Sequence, residues 1–341
     1  MLGVISRLTF SNRLQRAHMT VDIYQPTVND TLSLEEYRLY KLVMDYRATL
    51  GQEAIPLSQA LTATAGRHAM DTVHNIMIPG LDLPAGANLH NWSDAPYFSD
   101  HRDPVVMWDA PERIGTGFTG NGFEISVQIG GNGSIQQALR LWQNSPGHND
   151  VMTNAAIWAQ FKFNAMGVGI ERAGGQTIMH IWFSDSADVA PPQLLGSGKA
   201  DTLQGTRFAD HLAGQGGKDK LLGGAGADTL DGGAGFDVLT GGAGADTFLF
   251  AQTGGDRITD FRLAQGDRIA LEADVFTALG GSVEAAEFRR GQPRDADDHL
   301  SYFAATGKLF YDADGNGAGA RQLIATLQGK PALAFDDIVM V

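Results

Sequence analysis

GGAGADTLD GGAGFDVLT GGAGADTFL, residues 223–249, is one nine-residue unit written three times. The same register runs back through degraded copies. Aspartates stand at Asp201, Asp210, Asp219, Asp228, Asp237 and Asp246, always nine apart. A glycine lies five residues before each one, from Gly196 to Gly241, and an apolar residue two after it, from Leu203 to Phe248. A flexible glycine-rich linker has no reason to keep such a register. The G-G-x-G-x-D half of the unit reads as a turn, because glycine takes positive φ at no steric cost. The x-U-x half reads as a short strand with one inward apolar side chain. Two units make one coil, which puts Asp201, Asp219 and Asp237 on one edge and Asp210, Asp228 and Asp246 on the other. Coils stack about 4.8 Å apart, and carboxylates that close repel one another unless a cation lies between them. Carboxylate and carbonyl oxygens are calcium ligands. The candidate ligands are therefore the six aspartates and the turn glycines Gly223, Gly224, Gly226, Gly232, Gly233, Gly235, Gly241, Gly242 and Gly244.

This spacing resembles the RTX, or hemolysin-type, calcium-binding repeat. The resemblance implies an all-β parallel β-roll over 189–250, calcium as cofactor, and export through the type I secretion machinery to the extracellular space. It also implies folding coupled to calcium binding outside the cell. The segment TFLFAQTGGDRITDFRLAQGDRIAL (247–271) resembles the cap that follows such repeats in serralysin-like proteins. Residues 251–341 are accordingly expected to form a C-terminal cap that carries the uncleaved export signal. Within it, Asp312, Asp314 and Asn316 copy the first half of an EF-hand loop, but its twelfth position is Leu323 instead of a bidentate glutamate. Both a polar hairpin turn and an extra calcium site remain open there.

Composition narrows the partners. The chain has 341 residues, a net charge of -14 and no cysteine. No basic run exists for a nucleic acid, thiolate metal sites and disulfides are excluded, and no stretch is long and apolar enough for a transmembrane span. The N-terminal tail, 1–30, is briefly apolar at 1–10 but is broken by Arg7, Arg13 and Arg16, so no secretory signal is read there. Met19 is an alternative start.

Residues 31–188 read as a mixed α/β domain. Ser33-Leu-Glu-Glu36 is a capping box that opens a helix ending at Gly51. An alanine-rich helix is expected from Pro56 to about Asn75, and a third from Ser134 to Trp142. Ala165–Glu171 and Thr177–Phe183 are short, nearly continuous apolar runs, hence buried strands. A sheet covered by helices on both faces fits this order.

In order, E-Y-R, P-L-S-Q-A-L, N-L-H-N, G-F-E-I-S, L-W-Q-N-S-P-G-H-N-D-V-M and G-V-G-I resemble the CAP superfamily of cysteine-rich secretory, venom-antigen and pathogenesis-related proteins. The resemblance implies a three-layer αβα sandwich, making the whole chain α+β, with a cleft carrying two histidines and two acidic groups. His90 and His148 match the histidines and Glu124 one acid. The other acid's place is held by Ser145, and Glu112 is a rival for Glu124. Two imidazoles and a carboxylate can ligate zinc or act as general acid and base. His90 and His148 are thus possible zinc ligands; the alternative is a purely structural role. Ser145, before Pro146, reads as a helix terminator more readily than as a nucleophile. His68, His74, His101 and His180 have no partner that spacing identifies and are read as structural. Trp92, Tyr97, Phe98, Trp108 and Phe118 crowd the irregular stretch 84–120, as a ligand-facing wall or as its own packing.

The reading is a secreted calcium-binding protein whose CAP-like domain takes a lipid, a sterol or a cell-surface partner. A metal-assisted extracellular hydrolase using His90, His148 and Glu124 is the alternative, and a structural or adhesive matrix protein a third.

Overall fold

The computed structural model describes residues 19–98, 100–188 and 190–341. The tail residues 1–18, including the apolar stretch at 1–10, lie outside the described residues. The chain divides between Pro192 and Gln193 into two compact units.

In the first unit, helix α1 (Leu34–Thr49) starts at its capping box. The Glu36 backbone N–H donates to Ser33 Oγ at 3.3 Å, and Ser33 N–H donates to Glu36 Oε2 at 2.8 Å. The other carboxylate oxygen of Glu36 accepts from Ile170 N–H at 2.8 Å and ties the helix start to the sheet. Helix α2 (Gln59–Met70) is capped by Ser58, three residues or so later than Pro56 suggests, and passes into a π-helical turn at Asp71–Met77. There Asp71 accepts from Ser93 N–H (2.6 Å) and Asn75 Nδ2 (2.7 Å).

Three antiparallel strands follow: β1 (Phe123–Gly130), β2 (Ala165–Ala173) and β3 (Gln176–Ser184), with β3 central. Helix α2 packs against one face. It comes so close that a Cβ on Gly167 or Gly169 would overlap the backbone of Leu61 or Ala65. Helix α1, α3 (Ile135–Gln143) and α4 (Pro146–Thr153) pack with the sheet on its other side, where Trp142 Nε1 donates to Ser126 O at 3.0 Å. Ser145 is the junction between α3 and α4, with Pro146 in the first helical position of α4.

The second unit is built on two stacked sheets whose repeat strands pair in parallel. One runs β4 (Gln193–Ser197), β6 (His211–Gly217), β8 (Thr229–Asp231), β10 (Thr247–Phe250), β12 (Arg268–Leu271) and β17 (Ile338–Met340). The other runs β5 (Thr202–Gln204), β7 (Lys220–Ala225), β9 (Val238–Ala243), β11 (Asp256–Ile258) and β16 (Gln322–Leu327), then β15 (Lys308–Tyr311), β14 (Leu300–Phe303) and β13 (Phe288–Arg290). Register is 18 residues per coil through the repeats: Leu203 pairs with Leu221 and Leu221 with Leu239. Leu194, Leu212, Leu230, Phe248, Ile269 and Ile338 make one buried column, and Leu203, Leu221, Leu239, Ile258 and Leu327 the other. The roll therefore does not stop at 250. Strands from the region expected to be a separate cap add to both sheets, and the chain's last strand completes one of them.

Candidate functional site

The four turns 214–219, 223–228, 232–237 and 241–246 share one construction. Their second residue is left-handed: Gln215 (φ 69°), Gly224 (116°), Gly233 (76°) and Gly242 (107°). Their aspartates, Asp219, Asp228, Asp237 and Asp246, are at most 2% exposed. In each, Oδ1 accepts the N–H of the aspartate one coil earlier: Asp201 to Asp219 (2.8 Å), Asp210 to Asp228 (2.9 Å), Asp219 to Asp237 (2.7 Å) and Asp228 to Asp246 (3.1 Å). The Oδ2 atoms of these four carboxylates are buried without a hydrogen-bond partner. Burial pushes all four carboxyls upward, Asp228 to about 7, and neighbouring aspartates add to the shift.

A buried carboxylate oxygen without a donor is costly. The first glycine of each turn explains where compensation enters. Gly214, Gly223, Gly232 and Gly241 do not need positive φ. A Cβ on Gly214 would overlap Asp219 Oδ2 and sit 2.5 Å from Gly232 O; on Gly223 it would overlap Asp228 Oδ2 and sit 2.5 Å from Gly241 O. Missing side chains thus keep open a point where a carboxylate oxygen and a carbonyl oxygen of the next coil converge. An all-oxygen donor set with surplus negative charge fits a hard cation such as calcium.

Sequence reading ended each ladder one step early. Asp256 Oδ1 accepts from Asp237 N–H at 2.9 Å, and Asp267 Oδ1 accepts from Asp246 N–H at 3.1 Å. Burial raises both, Asp256 to about 7. The signal was present: Gly-Asp-Arg-Ile occurs at 255–258 and again at 266–269. Irregular spacings of 10 and 11 hid it. Asp260 accepts from Gly241 and Gly242 N–H, both at 2.9 Å, closing that turn from the following coil.

Asp312, Asp314 and Asn316 lie in the loop between antiparallel β15 and β16. Asp314 Oδ2 accepts from Gly319 N–H (2.9 Å), and Asn316 Nδ2 donates to Arg294 O (2.6 Å). These are the bonds of a hairpin turn, so the extra-calcium alternative gains nothing from them.

In the first unit, a cavity of about 570 Å³ has His90, Glu124, Ser145 and His148 in its lining, together with Tyr97 and His101. Met107, Trp108, Phe123, Val151, Ile157 and Trp158 make its apolar wall. Of the five aromatic residues expected to crowd the loop, Trp92, Tyr97 and Phe118 are buried in the core cluster. Tyr97 also reaches the cavity, and Trp108 faces it at 37% exposure.

Glu124 is the hub. Its Oε2 accepts from His90 Nδ1 at 2.8 Å, and its Oε1 from His68 Nδ1 at 2.7 Å and from His180 Nδ1. His68 Nε2 lies 2.8 Å from Asn91 O, an atom that only accepts. His68 therefore donates from both ring nitrogens and is the imidazolium, stacked between Trp92 and His180 at 4.0 and 4.1 Å. Burial works against that charge and the Glu124 carboxylate overrides it, leaving His68 raised. Against its own burial, Glu124 is held well below the usual carboxylate range by His68 and His180. Burial drives His180 down to about 4, so it stays neutral, with Ser126 Oγ 2.8 Å from Nδ1.

His68 and His180, read as structural, thus have a partner that spacing did not identify. Their signals were a lone polar residue inside the apolar strand TIMHIWF and a histidine on the helix face that meets the sheet. The possible zinc ligands His90 and His148 are not part of a three-residue cluster with Glu124. Among the described residues, the three side chains whose ligand atoms lie within 4.8 Å of one another are His68, Glu124 and His180, not His90, Glu124 and His148. In that buried trio the Nδ1 atoms of His68 and His180 both face Glu124 Oε1. His148 stands 6.1 Å from His90, ring to ring, and is lowered by burial and by His90. No described side chain hydrogen-bonds the Ser145 hydroxyl, which leaves it without a base. Glu112 is not among the residues lining the cavity.

A family model described as RTX calcium-binding nonapeptide repeat (4 copies) matches residues 195–230 and 222–258. No curated protein matches the chain. Among solved structures, the AlgE6R3 subunit of the Azotobacter vinelandii mannuronan C5-epimerase is 34% identical, over 42% of this chain and 80% of that one, with a TM-score of 0.30. The AlgE6R2 subunit of the same enzyme is 33% identical, over 43% and 91%, with a TM-score of 0.30. A cysteine-rich secretory protein from Staphylococcus aureus is 11% identical, over 47% and 41%, with a TM-score of 0.29. No helix among the described residues is long and apolar enough to cross a membrane.

Proposed function

We propose, from the RTX calcium-binding nonapeptide repeats matched at 195–230 and 222–258, that the chain is an extracellular protein whose C-terminal unit folds on calcium and whose N-terminal unit is a CAP-like ligand-binding domain. The carrying observation for the first part is the set of four buried carboxylate oxygens without donors at Asp219, Asp228, Asp237 and Asp246. Calcium held there by those aspartates and by turn carbonyls supplies the missing positive charge. At cytosolic calcium the ladders stay repulsive and the glycine-rich turns stay disordered, which suits export of an unfolded chain by the type I route. Limited proteolysis tests this: millimolar calcium should protect 193–341, and equimolar magnesium should not. Protection with neither ion or with both would contradict it.

The CAP-like part rests on the motif order and on His90, Glu124, Ser145 and His148 lining one cavity. Apolar walls over a polar floor suit an amphiphile, with a hydrocarbon body against Trp108 and Trp158 and a polar head at His90 and His148. The network around Glu124 fixes His90 and buries the remaining charge away from the ligand. The hydrolase alternative has less support, since Ser145 lacks a bonded base and, among the described residues, the three-residue cluster with metal-ligand spacing is the buried His68, Glu124 and His180. A fluorescent fatty acid and a fluorescent sterol titrated into the calcium-loaded chain provide the test. One of them should bind saturably, and Ile157→Arg, at a lining residue that is 73% exposed, should abolish binding without changing the fold. Binding that Ile157→Arg leaves intact, or none of either probe, would remove the amphiphile reading.

A further inference from the structure

The six repeat turns are of two kinds. In the first two, 196–201 and 205–210, the second residue is Ser197 or Thr206 in place of glycine, and neither adopts positive φ. Each hydroxyl turns onto the aspartate four residues later. Asp201 Oδ2 accepts from Ser197 N–H and Oγ, both at 2.7 Å. Asp210 Oδ2 accepts from Thr206 N–H at 2.5 Å and Oγ1 at 2.8 Å. Thr206 Oγ1 in turn accepts from Phe208 N–H at 3.0 Å, so the loop is closed by its own donors. In the four later turns the second residue is left-handed and the corresponding Oδ2 is buried without a donor. The two properties change together, turn by turn, and Gln215 makes the point: though not glycine, it is left-handed, and its Asp219 is of the second kind.

We propose that Asp201 and Asp210 are not cation ligands, and that the first coil is latched by Ser197 and Thr206 while the ions occupy only the turns of Asp219, Asp228, Asp237 and Asp246. The physical reason is that two donors already fill the lone pairs a cation would use. The negative φ of Ser197 and Thr206 also rules out the turn that aims carbonyls inward. The roll thereby has a first coil whose turns close without metal, against which the calcium-dependent coils can stack.

This assignment rests on the calcium reading, and one experiment separates the two. Bound calcium is counted by equilibrium dialysis and atomic emission on the full chain, for the wild type, Asp201→Asn/Asp210→Asn and Asp219→Asn/Asp228→Asn. Asparagine keeps the acceptor that the latch needs, so the first variant should fold. It should bind as many ions as the wild type, and the second should bind at least one fewer. A drop in the first variant overturns the latch while leaving the calcium reading intact. No calcium in the wild type overturns both. As a check that does not depend on counting, Ser197→Ala/Thr206→Ala should lower amide-exchange protection over 194–204 with the ion count unchanged. Unchanged protection there would also overturn the latch.

Discussion

Glycines in the repeat turns serve two separate ends, and substitution should tell them apart from glycines that serve neither. Gly223 needs no positive φ, yet a Cβ there would overlap Asp228 Oδ2. Gly130 also lacks positive φ and would meet nothing within 4 Å. Gly223→Ala should cost about 1–3 kcal/mol of stability in saturating calcium, as overpacking does, and should weaken calcium binding. Gly130→Ala should change neither by a measurable amount. Isothermal titration and thermal unfolding of both variants decide this. A second residue-scale prediction concerns Glu36, whose carboxyl burial pushes up from 4.5 to about 7 against its hydrogen bonds from Ser33 and Ile170. The folded state holds this proton more tightly than the unfolded chain. Its stabilising contribution is therefore full below about 4.5 and is lost as pH rises through about 7, on the order of 3 kcal/mol in all. Glu36→Gln should flatten that part of the stability–pH curve of the first unit. All five tryptophans (Trp92, Trp108, Trp142, Trp158 and Trp182) lie in this unit, so their emission during urea unfolding reads it alone. At this scale the motif order pointed to Glu124, His90 and His148, which line one cavity. The sequence concealed His68 and His180, because hydrogen bonding to a shared carboxylate across two elements leaves no spacing to read.

The elements were legible in proportion to how local their causes are. A capping box fixed α1, and an unbroken apolar run marked β2 and β3. Strand β1 carries a period-two signal, Phe123-Glu-Ile-Ser-Val-Gln-Ile129, which places Glu124 and Ser126 on the face of α2 and the apolar residues on the other. Its pairing depends on β3, a partner about fifty residues away, so the local pattern alone does not mark it as a strand. The widening of α2 at Asp71 depends on Ser93, in a different segment, and was likewise invisible. In the second unit the repeat dictated the register of the roll, but not the strands that extend it. Ile258, Ile269, Leu327 and Ile338 join the columns at spacings set by long intervening loops. Those columns carry the packing energy. Leu230 is fully buried between Leu212 and Phe248. Leu230→Ala should cost about 3–5 kcal/mol, lowering the Tm of the calcium-loaded roll by roughly 10 °C. Differential scanning calorimetry with saturating calcium checks this; a shift of a degree or two would mean the column can collapse and is not close-packed.

For the whole molecule, the division of labour follows from what each unit can do without help. The first has a mixed core of tryptophans, aliphatic residues and a buried hydrogen-bonded network around Glu124. The second stacks short strands and glycine-rich turns, and among the described residues the buried Oδ2 atoms of Asp219, Asp228, Asp237 and Asp246 have no hydrogen-bond partner. Its net folding energy is thus the part that waits on an ion. The most direct measurement is far-UV circular dichroism of the full chain during exhaustive chelation and then titration with calcium, with tryptophan emission followed in parallel. The β signal of the roll should disappear on chelation and return at millimolar calcium while the tryptophan emission stays fixed. A β signal that survives complete removal of the ion, or that calcium fails to restore, would contradict this.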